Sequence, residues 1–287
     1  MIKHKLKKLP CWHKVTKMEL NEAEEFLRAR EKYCVSASAR FLHIKEKRDH
    51  LWYIPGSMGE ISALLLHSRQ SLLPVFNKNM NIPSPRFLKR FLGKVHIHAL
   101  QGLLEDTELL ETIMEGQGYY SVERIDYALM NLDKEPRPES FKTGPKNLVL
   151  RSPLPQEEES IFFLQSAYEQ EEVLPRNAVF NPAACRYNLK QIISSEQILV
   201  AELNGQIVGK INTSAESFTR YQVGGVYVRP DCRGQGIAEK MTAFFVRSLL
   251  ANGKGISLFV KKHNTAALKV YRKTGFSVLA DYRICYF

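Results

Sequence analysis

Val226-Tyr-Val-Arg-Pro-Asp-Cys-Arg-Gly-Gln-Gly-Ile-Ala-Glu-Lys240 is the stretch that decides how this chain reads. An apolar strand, Val226–Val228, runs into a short basic loop, and the loop opens directly into an amphipathic helix from Ile237. Pro230 ends the strand because it has no amide hydrogen to give a sheet ladder. Arg233-Gly234-Gln235-Gly236 then offers backbone N–H groups that no Cβ shields at the two glycines. The free amides and dipole of the following helix favour an anion. Together these features make a phosphate cradle.

Two familiar phosphate motifs do not fit. A P-loop needs a Gly-Lys-Ser/Thr ending, which is absent, and a dinucleotide fingerprint needs a small residue where Glu239 stands. The fingerprint also needs an acidic residue about 20 positions on, where the chain reads Lys254-Gly-Ile-Ser-Leu-Phe-Val-Lys-Lys262. What fits is Arg-x-x-Gly-x-Ala at Arg233, Gly236 and Ala238. It resembles the pyrophosphate-binding motif of the GNAT superfamily of acyl-CoA-dependent N-acyltransferases. A second segment, His263-Asn264-Thr-Ala-Ala267-Leu-Lys-Val-Tyr271-Arg-Lys-Thr-Gly275-Phe276, is similar to that family's Asn-x-x-Ala-x-x-x-Tyr-x-x-x-Gly-Phe. In structural terms it is a strand at Ile256–Val260, a helix capped by Asn264 or Thr265, and a stop at Gly275 in a left-handed conformation.

Working outward, Asp133-Lys-Glu-Pro136-Arg-Pro138-Glu-Ser-Phe-Lys-Thr-Gly144-Pro145 has linker composition. It divides the chain into residues 1–135 and 146–287. The second part reads as a strand at Leu148–Leu150, helices at Gln156–Tyr168 and Asn181–Ile193, and a hairpin of Ile198–Leu203 and Gln206–Ile211 around Asn204-Gly205. A long strand at Arg220–Val228 and the helix Ile237–Leu250 follow. Strand, two helices, three antiparallel strands, helix, strand, helix, strand is the order that the resemblance implies. The first part has a similar rhythm: a helix at Glu19–Lys32, strands at His50–Ile54, Glu60–His67 and Leu72–Phe76, then a helix at Ser84–Leu92. Val95–Leu100 as a strand, Thr107–Glu115 as a helix and Tyr119–Leu132 as a long strand complete it. The loop Asn77–Pro85 has no glycine, so this part reads as a degenerate GNAT-like domain or an unrelated α/β domain. The expected fold class is α/β with an α+β mixed sheet, a GNAT fold in a tandem of two GNAT-like domains.

The resemblance implies an N-acetyltransferase that moves an acetyl group from acetyl-CoA to a primary amine. The cofactor-binding residues it implies are Val226, Tyr227, Val228, Arg233, Gly234, Gln235, Gly236, Ile237, Ala238, Asn264, Ala267 and Tyr271, with Tyr271 also the catalytic acid toward the departing sulfur. Each has a plainer reading. Tyr271 also suits a core tyrosine closing its helix on the sheet, Asn264 an N-cap, and Arg233 a solvated loop residue. Gly224-Gly225 interrupts a β-branched and aromatic strand, which is a bulge signature. The general base stays open. Arg220-Tyr-Gln-Val-Gly-Gly225 carries no carboxylate, so Glu202 and Glu216 are the nearest candidates, with Glu169, Glu171 and Glu172 as possible walls of an acceptor cleft. A non-catalytic acyl-CoA-binding regulatory module is the alternative.

Composition bounds the rest. Of 287 residues, 44% are hydrophobic and 25% charged, which is ordinary globular composition. The net charge of +11 suits a phosphate-rich cofactor as well as a polyanion. Lys3, Lys5, Lys7 and Lys8 read as a solvated leader or first strand, and no aromatic-basic RNA motif or zinc finger accompanies them. The five scattered cysteines show no metal-type pairing, and no apolar run approaches the length of about 18 residues that a membrane span needs. The expectation is a cytoplasmic enzyme without metal, acting on a small-molecule or peptide amine, with no membrane or nucleic-acid partner.

Overall fold

The computed structural model describes residues 11–44, 49–78, 85–176 and 178–287. The lysines at 3, 5, 7 and 8 lie outside them, as does most of the glycine-free loop after Phe76. Contacts divide the chain into two units. One comprises Met1–Asp126 with Asp281–Phe287, and the other Tyr127–Ala280. This division differs from the linker-based boundaries at 135 and 146.

The first unit begins with β1 (His13–Lys14), α1 (Leu20–Arg28), α2 (Val35–Leu42), β2 (His50–Pro55), β3 (Ile61–Ser68) and β4 (Ser71–Phe76). It continues with α3 (Pro85–Leu92), β5 (Ala99–Leu103), α4 (Leu104–Glu115) and the start of β6 (Glu123–Leu132). Strands β1 to β4 form an antiparallel meander, and β4 runs parallel to β5 at Ser71↔Ala99 and Leu72↔Leu100. Residues 282–286 of the last strand close this sheet against β5, with Tyr282↔Leu103 and Tyr286↔Ala99 in register. Aromatic and aliphatic residues from strands and helices fill the core, among them Trp12, Trp52, Phe91, Leu100 and Met114. Three expectations shift here. The first helix ends at Arg28, α2 is an additional helix, and the strand expected at Val95–Leu100 lies at Ala99–Leu103.

The second unit opens with the rest of β6 and continues through β7 (Val149–Arg151), α5 (Glu158–Tyr168), α6 (Pro182–Ser195), β8 (Ile198–Leu203), β9 (Gln206–Glu216) and β10 (Arg220–Val228). It finishes with α7 (Ile237–Leu250), β11 (Gly255–Lys261), α8 (Thr265–Thr274) and the start of β12 (Ser277–Tyr286). The meander β7-β8-β9-β10 is antiparallel, β10 and β11 are parallel, and residues 127–132 of β6 pair antiparallel with β11. Local signals explain these elements. Asn204 and Gly205 both have positive φ (52° and 75°), the geometry of a tight hairpin turn. Asn181 caps α6 by accepting the Ala184 N–H at 3.1 Å, with Pro182 in the first turn. The core gathers Met241, Phe245 and Leu249 of α7 against Val223, Ile256 and Leu258.

The segment with linker composition is not loose. Within the second unit it forms a 3-10 turn at Pro138–Phe141 and packs on α7 and α8. Phe141 meets Phe244 edge-on at 5.2 Å, the Arg137 amide donates to Thr274 O at 3.0 Å, and Ser140 is fully buried.

Candidate functional site

The parallel pair β10 and β11 is joined at one end only. Their register runs from Arg220↔Gly255 to Val223↔Leu258 and stops there. The joined end is riveted by Arg220, whose guanidinium donates to Ser257 Oγ (3.0 Å), Asp133 Oδ1 (2.7 Å) and Ile256 O (2.9 Å). Beyond Val223 the strands part, and at that point the β9–β10 register slips between Gly224 and Tyr227. The paired glycines therefore sit at a bulge, which bends a strand and breaks its ladder locally.

The parting strands open a groove of ≈ 660 Å³. The twelve residues expected to bind the cofactor line it: Val226, Tyr227 and Val228 from β10, Arg233 to Ala238 from the loop and the start of α7, and Asn264, Ala267 and Tyr271 from α8 and its cap. Gly236 is the N-cap of α7 in a left-handed conformation (φ +82°). A Cβ there would come within 2.8 Å of Gly144 N, so glycine is needed for close packing against the 143–144 strap. Gly234 is also left-handed (φ +77°), but a Cβ on it would meet nothing within 4 Å. That open space beside the first amides of α7 suits a phosphate oxygen.

Carboxylates already reach into the groove. After α5 the chain makes one π-helical turn, Glu169–Val173, which carries Glu171 and Glu172 to the wall. Glu171 accepts from Tyr227 OH at 2.5 Å and from the Arg233 guanidinium at 2.9 Å. Arg233 also donates to Val228 O at 3.0 Å, which ties the loop to the end of β10. Burial works to raise the Glu171 carboxyl, but its Tyr227 and Arg233 partners outweigh it and hold the group below the usual carboxylate range. Asn264 caps α8 through the Ala267 N–H (3.0 Å) while its amide donates to Glu172 Oε1 (3.0 Å), so cap and groove residue are one. Tyr271 is 7% exposed, its ring edge-on to Phe276 at 5.9 Å. Burial first, then Tyr168 and Glu172, push its hydroxyl upward, so it keeps its proton at neutral pH.

The two base candidates lie elsewhere. Glu202 on β8 is bound by Arg151 (2.6 Å), and Glu216 near the end of β9 by Lys254 (2.6 Å); neither lines the groove. Three participants were not anticipated: the Thr143–Gly144 strap, the pairing of Glu171 and Glu172 with groove residues, and a buried Lys210 behind the bulge. In the first unit, the amide at the end of β4 is already used. Phe76 N donates to Asp106 Oδ2 at 3.2 Å, and burial raises that carboxyl to about 7.

A sequence profile described as the acetyltransferase (GNAT) family matches residues 127–276. An acetyltransferase of Pectobacterium atrosepticum is 37% identical over 78 residues, 26% of this chain and 53% of that protein. An acetyltransferase of Yersinia pestis is 33% identical over 81 residues, 27% of this chain and 55% of its own length. The chain thus spans about half the length of the curated relatives it matches. Among solved structures, a GCN5-related N-acetyltransferase from Sphaerobacter thermophilus gives a TM-score of 0.60 at 18% identity, covering 96% of this chain and 94% of that one. A tandem GNAT protein from the clavulanic acid biosynthesis pathway, solved without AcCoA, gives 0.60 at 11% identity, covering 96% and 97%. At these identities the likeness is one of fold. No helix among the described residues is long and apolar enough to cross a membrane.

Proposed function

This chain belongs to the acetyltransferase (GNAT) family, with a mixed α/β fold in tandem, and from that premise we propose that it transfers an acetyl group from acetyl-CoA to a primary amine. The observation that carries the reading is the convergence of the motif residues on one groove where β10 and β11 part. Bound acetyl-CoA would supply the thioester acyl group. The chain's own residues supply the rest.

Gly234, Gln235, Gly236, Ile237 and Ala238 present backbone amides and the α7 dipole to the pyrophosphate, and Arg233 adds a guanidinium. Val226 to Val228 line the arm that leads to the acyl group, with Asn264 and Ala267 opposite. Tyr271, kept protonated by burial, donates toward the sulfur as negative charge gathers on it. Arg233 exchanges its Glu171 partner for phosphate; Glu171 stays hydrogen-bonded to Tyr227 and then faces the groove as an attraction for an ammonium acceptor. The second unit is the catalytic one, and the first, whose loop Asn77–Pro85 has no glycine, acts as a degenerate copy. The protein works in the cytoplasm.

The test is release of free thiol from acetyl-CoA across a panel of amines, polyamines, amino acids and peptides, beside calorimetric titration with CoA. Turnover with one acceptor class and one CoA per chain is expected. Binding without turnover on any amine would leave a regulatory acyl-CoA-binding module; absence of binding would sink both.

A further inference from the structure

Lys210 has no part in the motifs, yet it is the largest fully buried side chain among the described residues. It stands on β9 opposite Tyr227, at the resumption of the register after the bulge. Its Nζ donates to Gly225 O at 3.0 Å and to Asn212 Oδ1 at 2.9 Å. Asn212 is itself buried and donates to Thr213 O at 2.6 Å, so its oxygen is fixed toward the lysine. An amine at this depth is costly to bury and is tolerated only with its hydrogens satisfied.

The arrangement explains why position 225 is glycine. A Cβ there would lie 1.9 Å from Asn212 Oδ1 and 2.7 Å from Lys210 Nζ, and φ is +59°. The absence of a side chain lets the lysine and asparagine close on the carbonyl. A carbonyl oxygen and the next residue's N–H belong to one planar trans peptide and point in opposite directions. With Gly225 O turned to Lys210, the Val226 N–H points away from that lysine, and Val226 itself lines the groove. A hydrogen bond into the oxygen of a peptide also strengthens the donor at its other end.

We propose that Lys210 is a positioning residue for acyl transfer, holding the Gly225 carbonyl from behind the sheet and so aiming and polarising the Val226 N–H toward the donor's acyl end. This rests on the acetyl-transfer reading above. It assigns Lys210 to the thioester end of the groove, while the pyrophosphate end is served by the loop at residues 233–238. The groups around the amine come from each element packed on it: Tyr168 of α5, whose ring is 5.0 Å from Nζ, Glu169 of the π-helical turn, and Cys185 of α6. Burial dominates over Glu169 and Cys185 and brings the ammonium down to about 7, so the amine changes charge near neutrality without leaving its two acceptors.

Lys210→Met in the full chain keeps the length of the side chain and removes its donors. Expected are CoA affinity by calorimetry within about threefold of wild type, a kcat lowered by about tenfold or more, and an upfield move of the Val226 amide proton in ¹H–¹⁵N spectra. A folded variant with kcat within twofold of wild type and an unmoved Val226 amide overturns the proposal, as does an equal loss of kcat and CoA affinity, which would mark a merely structural lysine. The amide shift reads the Lys210–Gly225 link even if no acetyl transfer is found, so failure of the acetyl-transfer reading is separately visible. If the variant does not fold, wild type is titrated instead: a midpoint shared by the Lys210 side chain and the Val226 amide supports the link, and the absence of a shared midpoint overturns it.

Discussion

Replacing each cradle glycine by alanine separates conformational strain, packing and ligand space. Gly234 (φ +77°) and Gly236 (φ +82°) carry the same backbone penalty, about 1–2 kcal/mol for an L-residue in the left-handed region. They differ in what the new methyl meets. At 234 it enters open space, whereas at 236 it comes within 2.8 Å of Gly144 N and 3.0 Å of Thr143 Cβ. Crowding of this kind adds roughly 1–3 kcal/mol. Gly234→Ala should therefore cost ~1–2 kcal/mol, and Gly236→Ala ~2–5 kcal/mol, in thermal or urea unfolding of the second unit. Ligand binding should follow another order. The methyl at 234 occupies the place proposed for a phosphate oxygen, and losing charge-assisted contacts worth ~1.5–3 kcal/mol weakens CoA roughly 10- to 100-fold. The assay is a melt with and without saturating CoA, since a ligand at about 100 times its Kd raises stability by ~2.7 kcal/mol. Gly234→Ala should melt a few degrees below wild type, above Gly236→Ala, and lose most of its CoA-induced shift. Undiminished CoA affinity in Gly234→Ala, or a Gly236→Ala variant no less stable than Gly234→Ala, would refute the reasoning.

Further outcomes are expected. Burial holds Lys210 at about 7 in the fold against the ordinary lysine value of 10.5. Between those values the unfolded chain binds the proton and the folded one does not, so stability rises with pH by about 1.4 kcal/mol per unit and levels off below pH 7. The stability difference between wild type and Lys210→Met in urea should show this slope from pH 7 to 9.5, and parallel curves would refute the burial argument. Tyr271→Phe should lower kcat by roughly 10²-fold with CoA affinity retained; unaltered turnover with a lowered melting temperature would leave Tyr271 a packing residue. A fragment of residues 127–280 should fold and bind CoA, whereas one of residues 146–280 loses the strand paired along β11 and should not. Circular dichroism and calorimetry decide, and a folded 146–280 fragment would contradict the role given to β6.

The parts of the second unit legible in the sequence are those whose signals are local. Arg220–Val228 and Ile237–Leu250 have the bounds expected of them, because Pro230 and Gly236 punctuate the chain where the geometry demands it. The doubled glycine announced its bulge for the same reason. Features set by distant partners were not legible. Residues 133–146 look like a linker because proline and glycine serve a tight strap as well as a loose tether; only the depth of Ser140 and the Phe141–Phe244 contact tell them apart. Strand β5 lies at Ala99–Leu103, past the expected Val95–Leu100, and a Cβ on its Gly102 would come 3.2 Å from Pro74 O, a closeness set by a distant strand. Nothing near Lys210 in sequence reveals the carbonyl it holds. The groove's motif residues were found from the sequence, but their pairing with Glu171 and Glu172 depends on a π-helical turn that no composition signal marks.

The closing strand of each sheet has a consequence for biosynthesis. Residues 127–132 leave the ribosome before the rest of the second unit's sheet, while residues 281–287, which border β5 in the first, are made after everything else in that unit. The usual order, in which an N-terminal domain folds while the remainder is still being translated, is denied to this protein. Until Tyr282 to Tyr286 emerge, β5 offers one bare edge, and such edges invite pairing with other nascent chains. The half that carries the cradle can finish first, although its codons come second.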